Sequence, residues 1–272
     1  MIRARKRFAQ HFLHDPAVIA RIVAAVNLAP GDAAVEIGPG RGALTAGLLR
    51  AAGRLDAVEI DRDLAALLRA RFAAEPGFVL HEIDALTMDW RALASARGAR
   101  LRLIGNLPYN ISTPLLFRLL ECAEAISDMH FMLQKELVDR ILAVPGSPAY
   151  GRLTVMLAPR VRGERVLDVG AGAFQPAPQV RSSVVSLRVI APPWPIPPRF
   201  AEVVAAAFGQ RRKTLRNALR RLLTAGQIEA LELDPGARAE QLAPRDFARL
   251  AQAAATAQPQ VPLARPPGAV LH

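Results

Sequence analysis

The sequence predicts an α/β protein, an open and mostly parallel sheet flanked by helices, followed by a small all-helical domain. Three observations carry this. Strand-length apolar runs alternate with helical patterns from Ala33 to about Ala143. A glycine turn, Gly38-Pro39-Gly40-Arg41-Gly42, directly follows the first of those runs and leads into a helix. A proline-rich stretch, Ala191 to Pro198, separates this alternation from a part that has only helical patterns. The domain limits that follow are 1–190, a stiff linker at 191–198, a helical domain at 199–257, and a Pro- and Ala-rich tail at 258–272 that is expected to be disordered.

Basic residues and Phe8 to Leu13 precede Asp15-Pro16, which opens a helix with Val18, Ile19, Ile22, Val23 and Val26 on one face. Ala33 to Ile37 has the length of a buried strand, and the glycines after it let a backbone approach a ligand closely while the next helix start presents free N–H groups. A second strand, Leu55 to Ile60, carries Glu59 about 20 residues beyond the glycines, where a doubly wound sheet sets a carboxylate against ribose hydroxyls. Asp61 caps the helix of Leu64, Leu67, Leu68 and Phe72. Phe78 to Glu82 reads as a third strand, with Asp84 after it placed to accept from an adenine amine, and Leu101 to Gly105 as a fourth. A helix from about Pro114 to Cys122, a strand over Met129–Leu133 and a helix from about Lys135 to Ala143 continue the alternation. Segments near 160–169 and 183–189 read as a closing hairpin pair, joined by a loop that holds Phe174, which either tucks under the sheet or contacts a base. Helices are expected over roughly 199–208, 212–224 and 245–255.

Asn106 sits just past the fourth strand, where the crevice of such a sheet lies. Asn106-Leu107-Pro108-Tyr109 combines an amide, a backbone carbonyl, a proline-fixed turn and an aromatic ring, which is a set able to grip a planar base. On its own it also reads as a plain turn after a strand. The glycine turn suits S-adenosylmethionine at least as well as a dinucleotide. Glycine turn, Glu59, Asp84 and Asn106 fall at the ends of four successive strands, on one edge of one sheet.

The formal net charge of +11 favours anionic partners, nucleic acid above all. Arg3, Arg5, Lys6 and Arg7 crowd the start, and Arg211, Arg212, Lys213, Arg216, Arg220 and Arg221 crowd a later segment without an acid among them. A solvated helix face is the competing account of such a run. The single Cys122 excludes an intramolecular disulfide and a cysteine-rich metal site. With no apolar run near the ~20 residues of a membrane span and no signal peptide pattern, a cytoplasmic protein that avoids membranes is expected.

Gln10-His11-Phe12-Leu13, Glu36-Ile37-Gly38-Pro39-Gly40, Asn106 to Pro114, His130 to Glu136 and Gln210 to Asn217 resemble the bacterial ribosomal RNA adenine dimethylase family, over about residues 5 to 255. The resemblance implies a Rossmann-like class I methyltransferase domain and a small helical domain. It implies S-adenosylmethionine as cofactor and N6,N6-dimethylation of two adjacent adenosines near the 3′ end of small-subunit ribosomal RNA during ribosome assembly. The partner would be the small-subunit precursor, and a monomer is expected. Cofactor contacts would be His11, Leu13, Gly38, Glu59, Asp84 and Asn106. Asn106, Leu107, Pro108 and Tyr109 would hold the adenine with Phe174, and the basic segment 211–221 would hold RNA. His11 stands where the family usually has Asn, and Gln179 and Arg181 stand where Lys and Asp are usual. A related large-subunit enzyme, a DNA adenine methyltransferase and a non-catalytic assembly factor are the alternatives.

Overall fold

The computed structural model describes residues 11–210 and 212–256. The N-terminal basic cluster, Arg211 and the expected disordered tail lie outside the described residues.

Nine strands and eleven helices alternate among the described residues. The strands are β1 (Phe12–Leu13), β2 (Ala34–Ile37), β3 (Leu55–Val58), β4 (Phe78–His81), β5 (Leu101–Asn106), β6 (Ile126–Gln134), β7 (Val161–Val169), β8 (Phe174–Gln175) and β9 (Ser182–Val189). Seven of them form one sheet in the order β4-β3-β2-β5-β6-β9-β7. The first five run parallel, and β9 lies antiparallel to both β6 and β7. This is the mostly parallel α/β sheet that the apolar runs predict. Central strands covered on both faces need apolar residues throughout, and Ala34, Val35, Leu103 and Ile104 are each fully buried.

Helix α1 (Pro16–Val26) begins as expected, with the Asp15 carboxylate accepting from the N–H groups of Ala17 and Val18. It is followed by α2 (Thr45–Ala52), α3 (Arg62–Arg71), which Asp61 caps, and α4 (Trp90–Arg97). The fifth helix, α5, spans Tyr109–Leu120 and so starts five residues before the expected Pro114. A proline is welcome in a first turn, which is why the sequence suggests a start there, but here Pro114 lies inside the helix and gives up its bond to the Asn110 carbonyl. The early start matters because it places Tyr109 on the first turn, directly after the sheet edge. Helices α6 (Lys135–Ile141) and α7 (Arg152–Leu157) follow.

The described residues divide into two units, 11–144 with 157–191, and 145–156 with those of 192–256. Residues 145–156 thus leave the first domain to which the sequence reading assigned them. The Gly146 N–H donates to the Glu240 carbonyl at 2.7 Å, and the Tyr150 hydroxyl to that of Leu242 at 2.8 Å, so polar bonds between segments far apart in the chain bind this piece to the second unit.

In the second unit, α8 (Phe200–Phe208) packs on α11 (Pro244–Thr256), with the Phe208 and Phe247 rings stacked at 5.4 Å. The helix expected over 212–224 shrinks to α9 (Leu215–Ala218). Leu215, Leu219 and Leu223 are buried at helical spacing and account for the expectation. The N–H groups of Leu215 and Arg216 bond the carbonyls of Ala237 and Pro235, and Thr224 with Gln227 forms a capping box that starts α10 (Ala225–Glu229) afresh. Arg212, Arg216, Arg220 and Arg221 are exposed and Lys213 is half-buried, so the basic cluster lies on turns and one short helix rather than on a continuous one.

Candidate active site

The order of the sheet reverses between β2 and β5, and a crevice opens there at the C-terminal strand ends. A cleft of about 300 Å3 occupies it. Two glycines permit the approach of the strands. Gly38 has φ of +66°, a left-handed value that suits a residue without Cβ, and a Cβ on Gly105 would stand 2.5 Å from the Ile37 carbonyl oxygen.

Asn106 closes β5 at the floor of the cleft. Its Nδ2 donates to the His11 carbonyl at 3.1 Å. His11 is placed by β1, where Phe12 and Leu13 pair antiparallel with Gln175 and Phe174 of β8. The Leu107 N–H donates to the Met132 carbonyl at 3.2 Å, while the Ser112 hydroxyl and the Ile111 N–H both donate to the Pro108 carbonyl. Those bonds leave Asn106 Oδ1 and the Leu107 carbonyl as acceptors without a hydrogen bond among the described residues. Both belong to residues that line the cleft. Tyr109, half-buried, stacks on the His11 imidazole with centroids 5.9 Å apart. Because a carbonyl only accepts, the 2.8 Å contact of His11 Nδ1 with the Pro176 carbonyl requires a proton on Nδ1.

Three carboxylates edge the cleft. Glu59, 5% exposed, accepts from the Asp61 N–H at 2.9 Å and the Gly40 N–H at 3.2 Å. Burial pushes its carboxyl up, against the downward pull of those two bonds. Asp84 caps its own turn by accepting from the Leu86 N–H at 2.9 Å. The third, Glu36, sits in the middle of a strand, 2% exposed, with the Thr45 hydroxyl donating to it at 2.6 Å. Burial pushes the Glu36 carboxyl up to about 7. Ile60 and Ile83 line the same cleft and are 48% and 37% exposed, so two large apolar side chains flank the acids. Arg41, also on the cleft, lies over the Phe12 ring at 4.3 Å. Acids favour a cation, and apolar walls favour a flat ring. S-adenosylmethionine is a sulfonium cation that carries adenosine, and these residues fit it.

Of the residues expected to bind cofactor or base, His11, Leu13, Gly38, Glu59, Asp84, Asn106, Leu107, Pro108 and Tyr109 all line this one cleft. Phe174 does not. It is 4% exposed and packs in the core with Leu13, Met132 and Val184, so burial wins over base contact and the aromatic partner of Tyr109 is His11. The sequence reading overlooked Glu36, Ile60 and Ile83. Glu36 stands in an apolar run that reads simply as a strand, although an acid there is itself a signal, since a buried carboxylate needs a reason. The basic segment, Arg212 to Arg221, belongs to the second unit and is treated there alone.

Residues 1–256 match the model of the family described as ribosomal RNA adenine dimethylase. The ribosomal RNA small subunit methyltransferase A of Pseudomonas aeruginosa is 53% identical over 252 residues, which cover 92% of this chain and 94% of the relative. That of Methylococcus capsulatus is 52% identical over 254 residues, covering 91% and 96%. Among solved structures, the 23S rRNA methyltransferase ErmE is 26% identical with a TM-score of 0.67, covering 90% of this chain and all of its own. A dimethyladenosine transferase from Plasmodium falciparum, 24% identical, superposes with a TM-score of 0.76 over 88% of this chain and 96% of its own. The fold is accordingly that of a class I methyltransferase. By sequence over nearly its whole length, the chain belongs to the ribosomal RNA adenine dimethylase family.

Proposed function

We propose that this protein uses S-adenosylmethionine to dimethylate N6 of two adjacent adenosines near the 3′ end of small-subunit ribosomal RNA, on a precursor of the small subunit. The observation that carries this is the pair of acceptors left at Asn106 Oδ1 and the Leu107 carbonyl, beside the Tyr109 ring, in a cleft edged by carboxylates.

When bound, the cofactor supplies an electrophilic methyl group on sulfur. In this reading Glu59 binds the ribose hydroxyls, Asp84 the adenine amine of the cofactor, and Gly38 allows close backbone approach; all three line the cleft, as do His11 and Leu13. The substrate adenine has left its stack and rests against Tyr109. Its amine donates to Asn106 Oδ1 and to the Leu107 carbonyl, which favours a more pyramidal nitrogen and raises the availability of a lone pair otherwise delocalised into the purine. Such acceptors are strongest where positive charge develops on that nitrogen, in the transition state. Fixing the nitrogen also removes orientational freedom that would otherwise oppose reaction. The proton leaves once the nitrogen is cationic, and no side chain is assigned as a dedicated base.

RNA backbone is held by Arg212, Lys213, Arg216, Arg220 and Arg221, with Arg211 in the same sequence cluster. The enzyme acts as a cytoplasmic monomer in this reading. Incubation with labelled S-adenosylmethionine and unmethylated small subunits, followed by mapping of modified bases, tests it. Two labelled adenosines in adjacent positions are expected, and label in large-subunit RNA or no label at all would overturn the assignment.

A further inference from the structure

Next to the cleft, on the same C-terminal edge of the sheet, lies a second hollow of about 300 Å3. Its wall is made by Gln134 at the end of β6, by Lys135, Glu136 and Asp139 of α6, and by Val180 and Arg181 just ahead of β9. Short links join it to the active site. Gln134 pairs with Ser182 across β6 and β9, and the Ser182 and Tyr109 hydroxyls are 3.3 Å apart. The Lys135 N–H donates to the Arg181 carbonyl at 2.9 Å.

The back of the hollow is braced and charge-balanced. Asp139 takes the Lys135 ammonium at 3.0 Å and also the Arg165 guanidinium, and Arg165 reaches on to Asp168 at 3.0 Å. The front is not. Val180 is a large apolar side chain 44% exposed, and the side chains of Gln134 and Arg181 have no hydrogen-bond or ion-pair partner among the described residues. An apolar wall, an amide and a guanidinium are thus presented together beside Tyr109.

We propose that this hollow holds the nucleotide adjoining the target adenosine, and that it selects adenine there. The proposal rests on the RNA dimethyltransferase reading of the cleft and names a further substrate subsite. A base drawn into the cleft brings its chain neighbour along, one phosphodiester away. The Arg181 guanidinium matches a phosphate, and Val180 covers a base face. The Gln134 amide both donates and accepts, which fits the adjacent acceptor and amine of an adenine edge. The Glu136 carboxylate, exposed on the same wall, can only accept when ionised; it favours a base that presents an amine and keeps the phosphate on the Arg181 side. An enzyme that modifies two neighbouring adenosines then has a place for one while the other reacts.

The test uses the full chain, labelled S-adenosylmethionine and unmethylated small subunits, either native or reconstituted with guanosine in place of the adenosine next to the target. Failure of the wild type to label native subunits would refute the reading of the cleft, not the subsite. With an active wild type, Arg181→Ala is expected to raise the KM for subunits about tenfold and to lower the salt slope of binding by about 0.7. Cofactor affinity, measured by calorimetry without RNA, stays unchanged. The wild type should disfavour the guanosine substrate, and Gln134→Leu should erase that preference. A KM within about twofold of wild type for Arg181→Ala, or equal use of both substrates by the wild type, would overturn the proposal.

Discussion

Asn106 Nδ2 donates to the His11 carbonyl at 3.1 Å, and this bond decides which end of the amide faces the cleft. With the nitrogen tied to the N-terminal arm, the oxygen is left to accept. His11 is in turn set by the pairing of β1 with β8, so the geometry of one acceptor depends on a two-residue strand. Asn106→Ala removes acceptor and tether together, and methylation should fall about 10²- to 10³-fold, the usual cost of losing one aligned polar group. Asn106→Asp keeps an acceptor but turns an oxygen toward the His11 carbonyl; it is expected to lose activity as well and to weaken cofactor binding in a calorimetric titration. Full activity in the alanine variant would remove Asn106 from the chemistry.

Glu36 makes the cleft sensitive to pH. Burial pushes its carboxyl from an ordinary 4.5 up to about 7, the Thr45 bond opposes this, and the Glu59 charge adds to it. The folded state therefore keeps a proton that the unfolded chain releases, so the Glu36 contribution to stability is complete below about pH 4.5 and is lost as pH rises through about 7. Glu36→Gln, a neutral isostere, should gain on the order of 3 kcal/mol over wild type at about pH 8 and nothing at about pH 4. Urea melts at both values measure it. A bound cation favours the ionised carboxylate, so the affinity of the wild type for S-adenosylmethionine should rise from about pH 6 to 8 and that of the variant should not.

The central strands and the glycine turn could be read directly because a parallel sheet covered on both faces writes itself as apolar runs, as in Ala33 to Val35. The cleft residues could be read because they fall at the ends of those runs. What escaped depends on contacts far apart in the chain. The strands β1 and β8 are two residues each and exist only by pairing with one another. Helix α4 buries little more than Trp90 and Leu93, too thin a stripe to register as amphipathic. Leu215, Leu219 and Leu223 spell one helix, and a capping box at Thr224 overrides them. Residues 145–156 follow the first unit in sequence and belong to the second through the bonds of Gly146 and Tyr150.

Arg102 anchors the opposite end of the sheet. It donates to Asp128 at 2.9 Å, to Asp32 at 2.7 Å, and to the carbonyls of Val26 and Asn27, which are the unpaired C-terminal carbonyls of α1. Replacement by Met would leave two partly buried carboxylates and a helix end without their partner. A loss of about 2–4 kcal/mol is expected, near the lower range for buried pairs because all three side chains retain some exposure. Denaturant unfolding reads it, and a change below about 0.5 kcal/mol would reduce the cluster to a surface feature.

The exposed arginines of the second unit should act through charge alone. Arg212→Ala with Arg216→Ala is expected to reduce the slope of log affinity against log salt by about 1.4, that is about 0.7 for each phosphate of single-stranded RNA that is no longer neutralised. Cofactor affinity should be untouched. Binding to small subunits that is unchanged at low salt would separate this segment from RNA recognition.

Phe174 separates packing from chemistry. In a role against the substrate base, any loss of its ring would stop methylation while the protein stays folded. In the core position observed, 4% exposed and paired with Leu13, the ring fills volume instead. Phe174→Ala should then cost about 3–5 kcal/mol, and Phe174→Leu, a smaller change of shape, about 1.5 kcal/mol or less. The leucine variant keeps the register of β1 against β8, and with it the His11 carbonyl that orients Asn106, so it should retain most of its methylation at 25 °C. Tyr109→Leu, by contrast, should stay folded and lose activity, since its ring faces the cleft and stacks on His11. A stable but inactive Phe174→Leu would return that ring to the substrate side.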